Sequence, residues 1–379
     1  MVKVLEGIRV LELGQVLAAP FAGAILAGLG ADVVKVERVE GGDDARRMGP
    51  AFHHGDSLIF QVFNAGKRSA AIDLKSPSGR DALERLLAGA DILVHNLRPG
   101  VTEDLGIDAA SVCARHPRLI YGEISAFGHQ GPLARQPGYE PLIQAFSGMA
   151  STNGGPDDPP LRAAASLCDQ GSGMWLVIGA LALLARRQAT GRGGVVNASL
   201  LETALSWNAQ KSDAWRNEGQ LPERHRSGHP RLVPYEAFDT ADAPLLICCG
   251  NDRLFAKLAA ALGRTDWLGD ERYATNRARL QHQALLLPEL AALLRGATRA
   301  QWLDRLQRAG VPCAPVHTVP EALAHPQVQA LDMLRPLRDA DFALTALPLS
   351  LDGQRAGCDT AAPALGAANQ ALGLQEVVA

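Results

Sequence analysis

The chain has 379 residues, of which 47% are hydrophobic and 20% are charged, and its formal net charge is −3 at pH 7. This length predicts one large domain or two domains with a substantial core, and the small net charge gives no reason to expect a nucleic acid or a membrane as a partner. The longest apolar run, residues 174–185, is too short to span a bilayer. The N-terminal residues lack the apolar core of a signal peptide, so we expect a cytoplasmic protein.

The six cysteines are scattered along the chain without the spacing of metal ligands. We therefore expect reduced thiols, not disulfides or zinc ligands, and we predict no metal site.

The first part of the chain alternates strand and helix patterns. The predicted elements are strands at 8–13, 32–37, 68–74, 91–96, 119–126 and 195–200, and helices at 20–29, 76–90 and 201–218. Such alternation is typical of a mainly parallel sheet, with ligands beyond the carboxyl ends of the strands. Glu37 ends the second strand, as in dinucleotide-binding proteins, but the turn at 14–20 lacks the glycine fingerprint, so bound NAD or FAD is not expected.

One stretch, residues 163–194, places a carboxylate before a long apolar helix pattern. Asp169 precedes the uncharged run that starts at Met174, where an aspartate is favoured as an N-cap and the helix dipole stabilises an anion. Gly171 and Gly173 leave room beside it. From this pattern alone, Asp169 could be a nucleophile, a general base or only a cap.

The composition changes after residue 218. Residues 219–234 are rich in Pro, Gly and charge, which is typical of a linker. The elements predicted beyond it are a strand pair at 235–240 and 243–249, helices at 252–262, 281–294, 299–309 and 320–331, an extended segment at 312–317, and a Pro-interrupted tail at 343–379 with a small-residue helix. A large domain interrupted by a smaller α+β domain is expected.

Short strings spaced along nearly the whole chain form a recognisable series. They are LEGIRVLEL at 5–13, LGADVVKVER at 29–38, FNAGKRS at 63–69, NLRPG at 96–100, PGYE at 137–140, CD at 168–169 and TGRG at 190–193. Each string is weak alone, but their order and spacing are specific. The chain resembles the family III CoA-transferases, which include formyl-CoA:oxalate and carnitine CoA-transferases and the related α-methylacyl-CoA racemases.

This resemblance implies an α/β fold with a Rossmann-like large domain, in a homodimer whose chains interlock. The expected boundaries are 1–218 for the first part of the large CoA-binding domain, 219–234 for the linker, 235–318 for the small α+β domain, and 319–379 for the return to the large domain. CoA or acyl-CoA is then a substrate and not a permanent cofactor, and a small carboxylic acid is the other partner.

The resemblance also implies that Asp169 is the nucleophile, which forms an aspartyl anhydride and then an aspartyl-CoA thioester. Such covalent catalysis divides one difficult exchange into easier steps, and it requires that water be excluded. The backbone N–H groups of Gly171 and Gly173 could serve as oxyanion donors. Close helix packing is an equally good explanation of these two glycines.

Residues 138–140 separate the branches of the family. Racemases have a histidine before the acid, whereas this chain has Tyr139 followed by Glu140, as in the transferase branch. Tyr139 and Glu140 are therefore candidate catalytic residues, and Glu140 either orients the acceptor or polarises the site, or only caps the helix that follows it. Formyl-CoA transferases have a glutamine where this chain has Leu17 and a glycine-rich loop where it has residues 250–252, which argues against oxalate.

CoA carries phosphates, which call for Arg or Lys. The positions that the resemblance assigns to CoA binding are Val16, Leu17, Ala18, Arg38, Leu74, Lys75, Asn96, Leu97 and Arg98. One further arginine of the family is replaced by Asp104. We expect a CoA-transferase for short, succinate-type dicarboxylic acids. The alternatives are an acyl-CoA racemase and a non-catalytic acyl-CoA-binding protein.

Overall fold

A computed structural model describes residues 3–374. The strands are β1 Arg9–Leu13, β2 Asp32–Glu37, β3 Phe52–His53, β4 Asp56–Ser57, β5 Arg68–Ala71, β6 Ile92–His95, β7 Ile120–Ser125, β8 Gly194–Ser199, β9 Tyr235–Phe238, β10 Leu245–Cys248, β11 Cys313–Pro315, β12 Leu334–Pro336, β13 Ala343–Thr345, β14 Ser350–Leu351 and β15 Gln354–Arg355. The helices are α1 Ala18–Gly28, α2 Leu58–Asn64, α3 Pro77–Ala88, α4 Val101–Asp104, α5 Ala109–Arg115, α6 Glu140–Phe146, α7 Leu167–Thr190, α8 Leu200–Trp207, α9 Ala209–Glu218, α10 Asp252–Leu262, α11 Asn276–Gln281, α12 Gln283–Leu294, α13 Arg299–Arg308, α14 Val319–Ala324 and α15 Pro326–Ala330.

The described chain divides into two compact units. The smaller unit comprises Ser151–Leu161 and Gln220–Pro326, and the larger unit comprises the rest. Residues 151–161, which the sequence analysis placed in the large domain, cluster with the smaller unit because Arg226 N donates to Gly154 O and the Arg224 guanidinium donates to Pro156 O. The chain returns to the larger unit at Gln327.

The larger unit is built on a six-stranded sheet of order β5-β2-β1-β6-β7-β8, in which every pairing is parallel. Neighbouring residues Val10 and Leu11 of β1 belong to separate apolar cores on the two faces of the sheet, because successive strand side chains point to opposite sides. Helices α1 and α7 cover one face, and α3 and α5 cover the other. The predicted α/β class with a mainly parallel sheet is confirmed.

Helix α7 is longer than the apolar run seen in the sequence. With 24 residues it is long and apolar enough to cross a membrane by length and composition. Its buried residues Leu176, Val177 and Ala180 pack in the same apolar core as α1, however, which is typical of the core helix of a globular protein.

Three predicted helices differ from those observed. The helix expected at 201–218 is two helices that meet at Asn208, and the one expected at 320–331 is broken before Pro326, which cannot donate to the helical ladder. The small-residue helix predicted in the tail is wrong for the described part of that segment. Gly366 and Gly373 have φ of +70° and +66°, so the chain forms turns there. Residues 375–379 of that prediction lie outside the described residues.

The smaller unit has its own core. The predicted strand pair is confirmed as the antiparallel β9 and β10, to which β11 adds on the other side. Helices α10 to α13 supply apolar side chains to this core, including Phe255, Leu286 and Trp302.

Candidate active site

The residues predicted to bind CoA lie along one edge of the sheet. Strands β5, β2, β1 and β6 are consecutive neighbours and parallel, so their carboxyl ends meet at the same edge. The predicted positions follow these four ends: Leu74 and Lys75 after β5, Arg38 after β2, Val16, Leu17 and Ala18 after β1, and Asn96, Leu97 and Arg98 after β6. The topology therefore brings the predicted set to one contiguous edge.

The loop after β1 is held by two side chains from other parts of the chain. Asn96 accepts a hydrogen bond from Gln15 N at 2.9 Å and donates one to Gln15 O at 3.0 Å, so its amide orients the loop. The N–H of Val16 donates to Asp43 at 3.0 Å. Helix α1 then begins without a side-chain cap, and the N–H groups of Leu17 and Ala18 donate to no other group among residues 3–374. These two donors are open to a ligand.

The predicted cations differ in their availability. Arg38 donates to Gly42 O and to the Asp44 carboxylate, and its side chain is half-exposed, so it is partly engaged within its own loop. Lys75 and Arg98 are exposed, and their side chains form no hydrogen bond or ion pair with the part of the chain that the structure describes. Both remain available for phosphate groups.

Asp169 is the third residue of α7, not its N-cap. The helix begins at Leu167 and the N-cap position is Ser166, so the N-cap prediction is wrong. The signal that could have revealed this is a serine followed three residues later by an acid, which is a helix-start pattern. The Asp169 carboxylate is half-buried and accepts no hydrogen bond from residues 3–374. It lies in the first turn, where the helix dipole favours an anion.

The Glu140 carboxylate accepts hydrogen bonds from N–H groups in the first turn of α7, which have no acceptor within the helix. Its Oε1 accepts from Cys168 N at 3.1 Å, and its Oε2 accepts from Asp169 N at 2.7 Å. Gln144 Nε2 donates to Oε1 at 2.6 Å. The prediction that Glu140 caps the helix following it is therefore corrected: it is the first residue of α6, but its side chain caps α7. Nothing in the local sequence indicates this, because the partners are 28 and 29 residues apart.

The electrostatics of this pair set the protonation of Asp169. Burial and the nearby charge of Glu140 raise the pKa of the Asp169 carboxyl to about 7. Burial and the same charge raise the pKa of the Cys168 thiol to about 12, so this neighbour stays protonated at neutral pH. Tyr139 is 62% exposed, and its hydroxyl makes no hydrogen bond within the described chain. The structure thus brings Asp169 and Glu140 together and leaves Tyr139 apart from their hydrogen bonds.

Gly171 and Gly173 allow helices to pack closely. A Cβ at Gly171 would lie 2.5 Å from the Trp207 ring, and one at Gly173 would lie 2.8 Å from Ala18 O. Their N–H groups lie beyond the first turn of α7 and belong to its helical ladder, so the suggestion that they are oxyanion donors is not supported. Instead, Gly173 lets the first turn of α1 lie against α7, one turn from Asp169.

The sequence analysis missed four buried charged residues at this edge: Glu12, Lys35, Asp43 and Lys67. Glu12 and Lys35 are charges flanked on both sides by apolar residues within their strands, which could have been recognised as unusual. Glu37, at the position of a ribose-binding acid, is also buried, and Arg46 donates to both of its oxygens. A hollow lined by Arg9, Asp32 and other residues lies near the amino ends of β1 and β2 and includes none of the predicted site residues.

Comparison with known proteins identifies the family. The sequence pattern of CoA-transferase family III matches residues 5–369. The chain is 35% identical to the acetyl-CoA:oxalate CoA-transferase of Acetobacter aceti over 92% of this chain and 89% of that one. It is 37% identical to the succinate–glutarate CoA-transferase of Agrobacterium fabrum, with coverage of 86% and 83%.

The fold agrees with this relationship. A CAIB/BAIF family protein from Brucella suis superposes with a TM-score of 0.90 at 33% identity, covering 98% of this chain and 99% of that one. CoA-transferases use CoA thioesters as substrates, and the name of the Acetobacter relative includes one, acetyl-CoA. The chain belongs to CoA-transferase family III and is a CoA-transferase enzyme.

Proposed function

We propose that this enzyme transfers CoA between short dicarboxylic acids through covalent intermediates on Asp169. The observation that carries the proposal is the state of this carboxylate: it is half-buried, accepts no hydrogen bond within residues 3–374, and has its pKa raised to about 7 by burial and Glu140. A carboxylate that is poorly stabilised in its resting state is more reactive as a nucleophile than one held by donors.

The reaction conserves the thioester in four steps. An Asp169 oxygen attacks the carbonyl carbon of the donor thioester. The C–S bond breaks, CoA departs as a thiolate, and a mixed anhydride between the acyl group and Asp169 remains. The thiolate then attacks the aspartyl carbonyl, which releases the first acid as a carboxylate and forms aspartyl-CoA. The acceptor carboxylate attacks this thioester and displaces the thiolate, giving a second anhydride. The thiolate finally attacks the acceptor carbonyl, which forms the new acyl-CoA and regenerates Asp169.

The surrounding groups support these steps without taking part in bond exchange. The first-turn N–H groups of Leu17 and Ala18 are unpartnered within the described chain and lie at the end of α1 that packs beside α7. They are suited to bind an oxyanion or the thioester carbonyl. Glu140 orients the backbone of Asp169 through the 2.7 Å hydrogen bond and destabilises the resting carboxylate by its charge. We assign Glu140 a positioning role.

The proposed substrates follow from two considerations. Exposed Lys75 and Arg98 at the sheet edge fit the phosphates of CoA. Relatives named for oxalate and for succinate with glutarate cover most of this chain, so a short dicarboxylic acid is the proposed acyl group and acceptor. The relative named for oxalate is similar even though residues 17 and 250–252 depart from the formyl-CoA transferase pattern. We also propose a cytoplasmic location, where acyl-CoA is available.

We further propose a homodimer. Met174, Trp175 and Ile178 are 44 to 54% exposed on α7, and Trp215 is 53% exposed on α9, which indicates apolar surface without a partner in one chain. Sedimentation should report a dimer, and Ile178→Glu should weaken it. A monomer at micromolar concentration in the unsubstituted protein would contradict this part of the proposal.

Mass spectrometry of the protein mixed with succinyl-CoA tests the mechanism. After trapping with hydroxylamine or borohydride, the modification should lie on the peptide that contains Asp169, and it should be absent in Asp169→Ala. Asp81, which is exposed on α3, provides the matched Asp81→Ala control, which should retain the adduct. CoA transfer that persists undiminished in Asp169→Ala would reject the nucleophile, and tight CoA binding without exchange into any acid would favour a binding protein.

The racemase alternative receives no support from the site. Both oxygens of Glu140 accept hydrogen bonds from backbone N–H groups, so it is not arranged as a second base. Solvent deuterium entering the α-carbon of a 2-methylacyl-CoA would be needed to restore that alternative.

A further inference from the structure

Four charged side chains form a buried ion network beneath the loop that follows β1. We use this name for Glu12, Lys35, Asp43 and Lys67. Lys35 Nζ lies 2.9 Å from a Glu12 oxygen and 2.9 Å from an Asp43 oxygen, and Lys67 Nζ lies 2.6 Å from the other Glu12 oxygen. The exposed fraction of each of these side chains is 0 to 1%. The network is thus fully enclosed.

The network contains two cations and two anions, and it also binds the backbone. Lys35 Nζ donates to Gly14 O at 2.8 Å, and Lys67 Nζ donates to Pro20 O at 2.8 Å. Burial alone would lower the pKa of Lys35, but the neighbouring carboxylates raise it above its usual value. Buried ion pairs contribute little to stability compared with apolar residues of similar volume. The contacts to the backbone on both sides of the loop therefore indicate that the network controls the loop's geometry.

The residue that the network holds is Val16, whose backbone is in an unfavourable conformation. Its φ is +63°, in the left-handed region that β-branched residues rarely adopt. Both oxygens of Asp43 accept from Val16 N, at 3.0 and 3.2 Å. The backbone of Asp43 is itself held by Glu37, which accepts from Asp43 N at 3.0 Å. Lys35 connects Asp43 to Gly14 O, so one ammonium group links the carboxylate that holds Val16 N to the backbone two residues before it.

This conformation determines where the next backbone groups point. Leu17 and Ala18 follow directly, and their N–H groups have no partner among the described residues. Ala18 O packs where a side chain at Gly173 would be, one turn of α7 from Asp169. A change of φ at Val16 would rotate these donors relative to Asp169. Strained residues of this kind persist only where the surroundings hold them, and they are common at active sites.

We propose that Asp43 and Lys35 are positioning residues for the CoA-transfer reaction, which hold Val16 in the left-handed conformation so that the N–H groups of Leu17 and Ala18 face the acyl group on Asp169. The inference rests on the proposed function, because it takes Asp169 as the acylated group. It extends that function by assigning a task to charges that touch no substrate.

A double-mutant cycle tests the proposal. Asp43→Asn removes the charge that holds Val16, and Val16→Gly removes the Cβ that makes the left-handed conformation unfavourable. We expect Asp43→Asn to lower kcat about 30-fold with a smaller change in KM for the CoA ester, because misplaced groups have effects of that order. In the Val16→Gly background, the same change should lower kcat only about threefold, because glycine adopts the left-handed conformation without stabilisation by Asp43. Asp108→Asn, at a carboxylate that also accepts a backbone N–H, should leave kcat unchanged.

The outcomes separate structure from positioning. Far-UV circular dichroism and thermal melting identify any variant that fails to fold, and Lys35→Met, which removes the other half of the pair, should then reproduce the kcat loss. Equal losses from Asp43→Asn with and without the Val16→Gly substitution would overturn the proposal, as would an unchanged kcat in folded Asp43→Asn. Absence of CoA transfer in the unsubstituted protein, or full activity in Asp169→Ala, would instead reject the proposed function.

Discussion

Replacing Asp169 by asparagine should abolish transfer and make the protein more stable. The pKa of this carboxyl is raised from its usual 3.8 to about 7, because it is buried beside Glu140. The folded state therefore holds a proton that the unfolded chain has released between pH 4 and 7. By linkage, stability falls as the pH rises through this window, and the full penalty of the ionised group is present above pH 7.

The size of the penalty follows from the pKa. A pKa about three above the usual value corresponds to about 4 kcal/mol at pH 8, which is an upper limit because the carboxylate is only half-buried. Asparagine has the same shape and no charge, so Asp169→Asn should recover roughly 1 to 4 kcal/mol of this. For a chain of 379 residues, that increase raises Tm by about 1 to 5 °C.

Thermal melting at pH 8 and pH 5 checks this reasoning. The stabilisation should be fully present at pH 8 and less than about half as large at pH 5, where the folded protein keeps the Asp169 proton but the unfolded chain has already released it. Steady-state transfer should fall by about a thousand-fold or more, as expected on removal of a nucleophile. Asp81→Asn on the exposed face of α3 should change neither quantity. A lower Tm for Asp169→Asn at pH 8 would refute the claim that the folded state disfavours this carboxylate.

Three further predictions concern the neighbours of Asp169. The rate of adduct formation should rise with pH and reach half its maximum near pH 7, because the anion is the nucleophile. Glu140→Gln should move this midpoint to lower pH. An unmoved midpoint would exclude Glu140 as a cause of the raised pKa of Asp169. Gly173→Ala should lower Tm and activity, since its Cβ would meet the backbone of Ala18, with an expected loss of about 1 to 3 kcal/mol. Gly269→Ala, whose Cβ would come no closer than 3.8 Å to its nearest neighbour, should leave the melting curve unchanged, and an equal loss in both variants would show that the contact with Ala18 is unimportant. Cys168→Ala should retain activity within about threefold, because the thiol, with its pKa raised to about 12, is not a nucleophile at neutral pH, and loss of the adduct would contradict this.

The sequence predicted much of the fold because the relevant signals are local. The six strands of the large sheet were placed within a few residues of their observed bounds. Short apolar runs such as residues 32–37 lie between helix patterns and are too short to form helices themselves. The series of short strings identified the family, and the single acid before the long apolar helix drew attention to Asp169. The predicted CoA residues came to one edge because parallel strands with helical connections all end on the same side.

The chemistry of the site could not be predicted in this way. Glu140 caps a helix 28 residues away, and Asn96 holds a backbone 81 residues away. The sequence by itself determined which segments become most of the strands and helices and which acid lies near the start of the long apolar helix α7, because these depend on side chains a few positions apart. Only the tertiary structure decided the pKa of Asp169, the partners of Glu140 and the burial of Lys35 and Asp43, because desolvation and hydrogen bonding depend on which distant segments exclude water from a group.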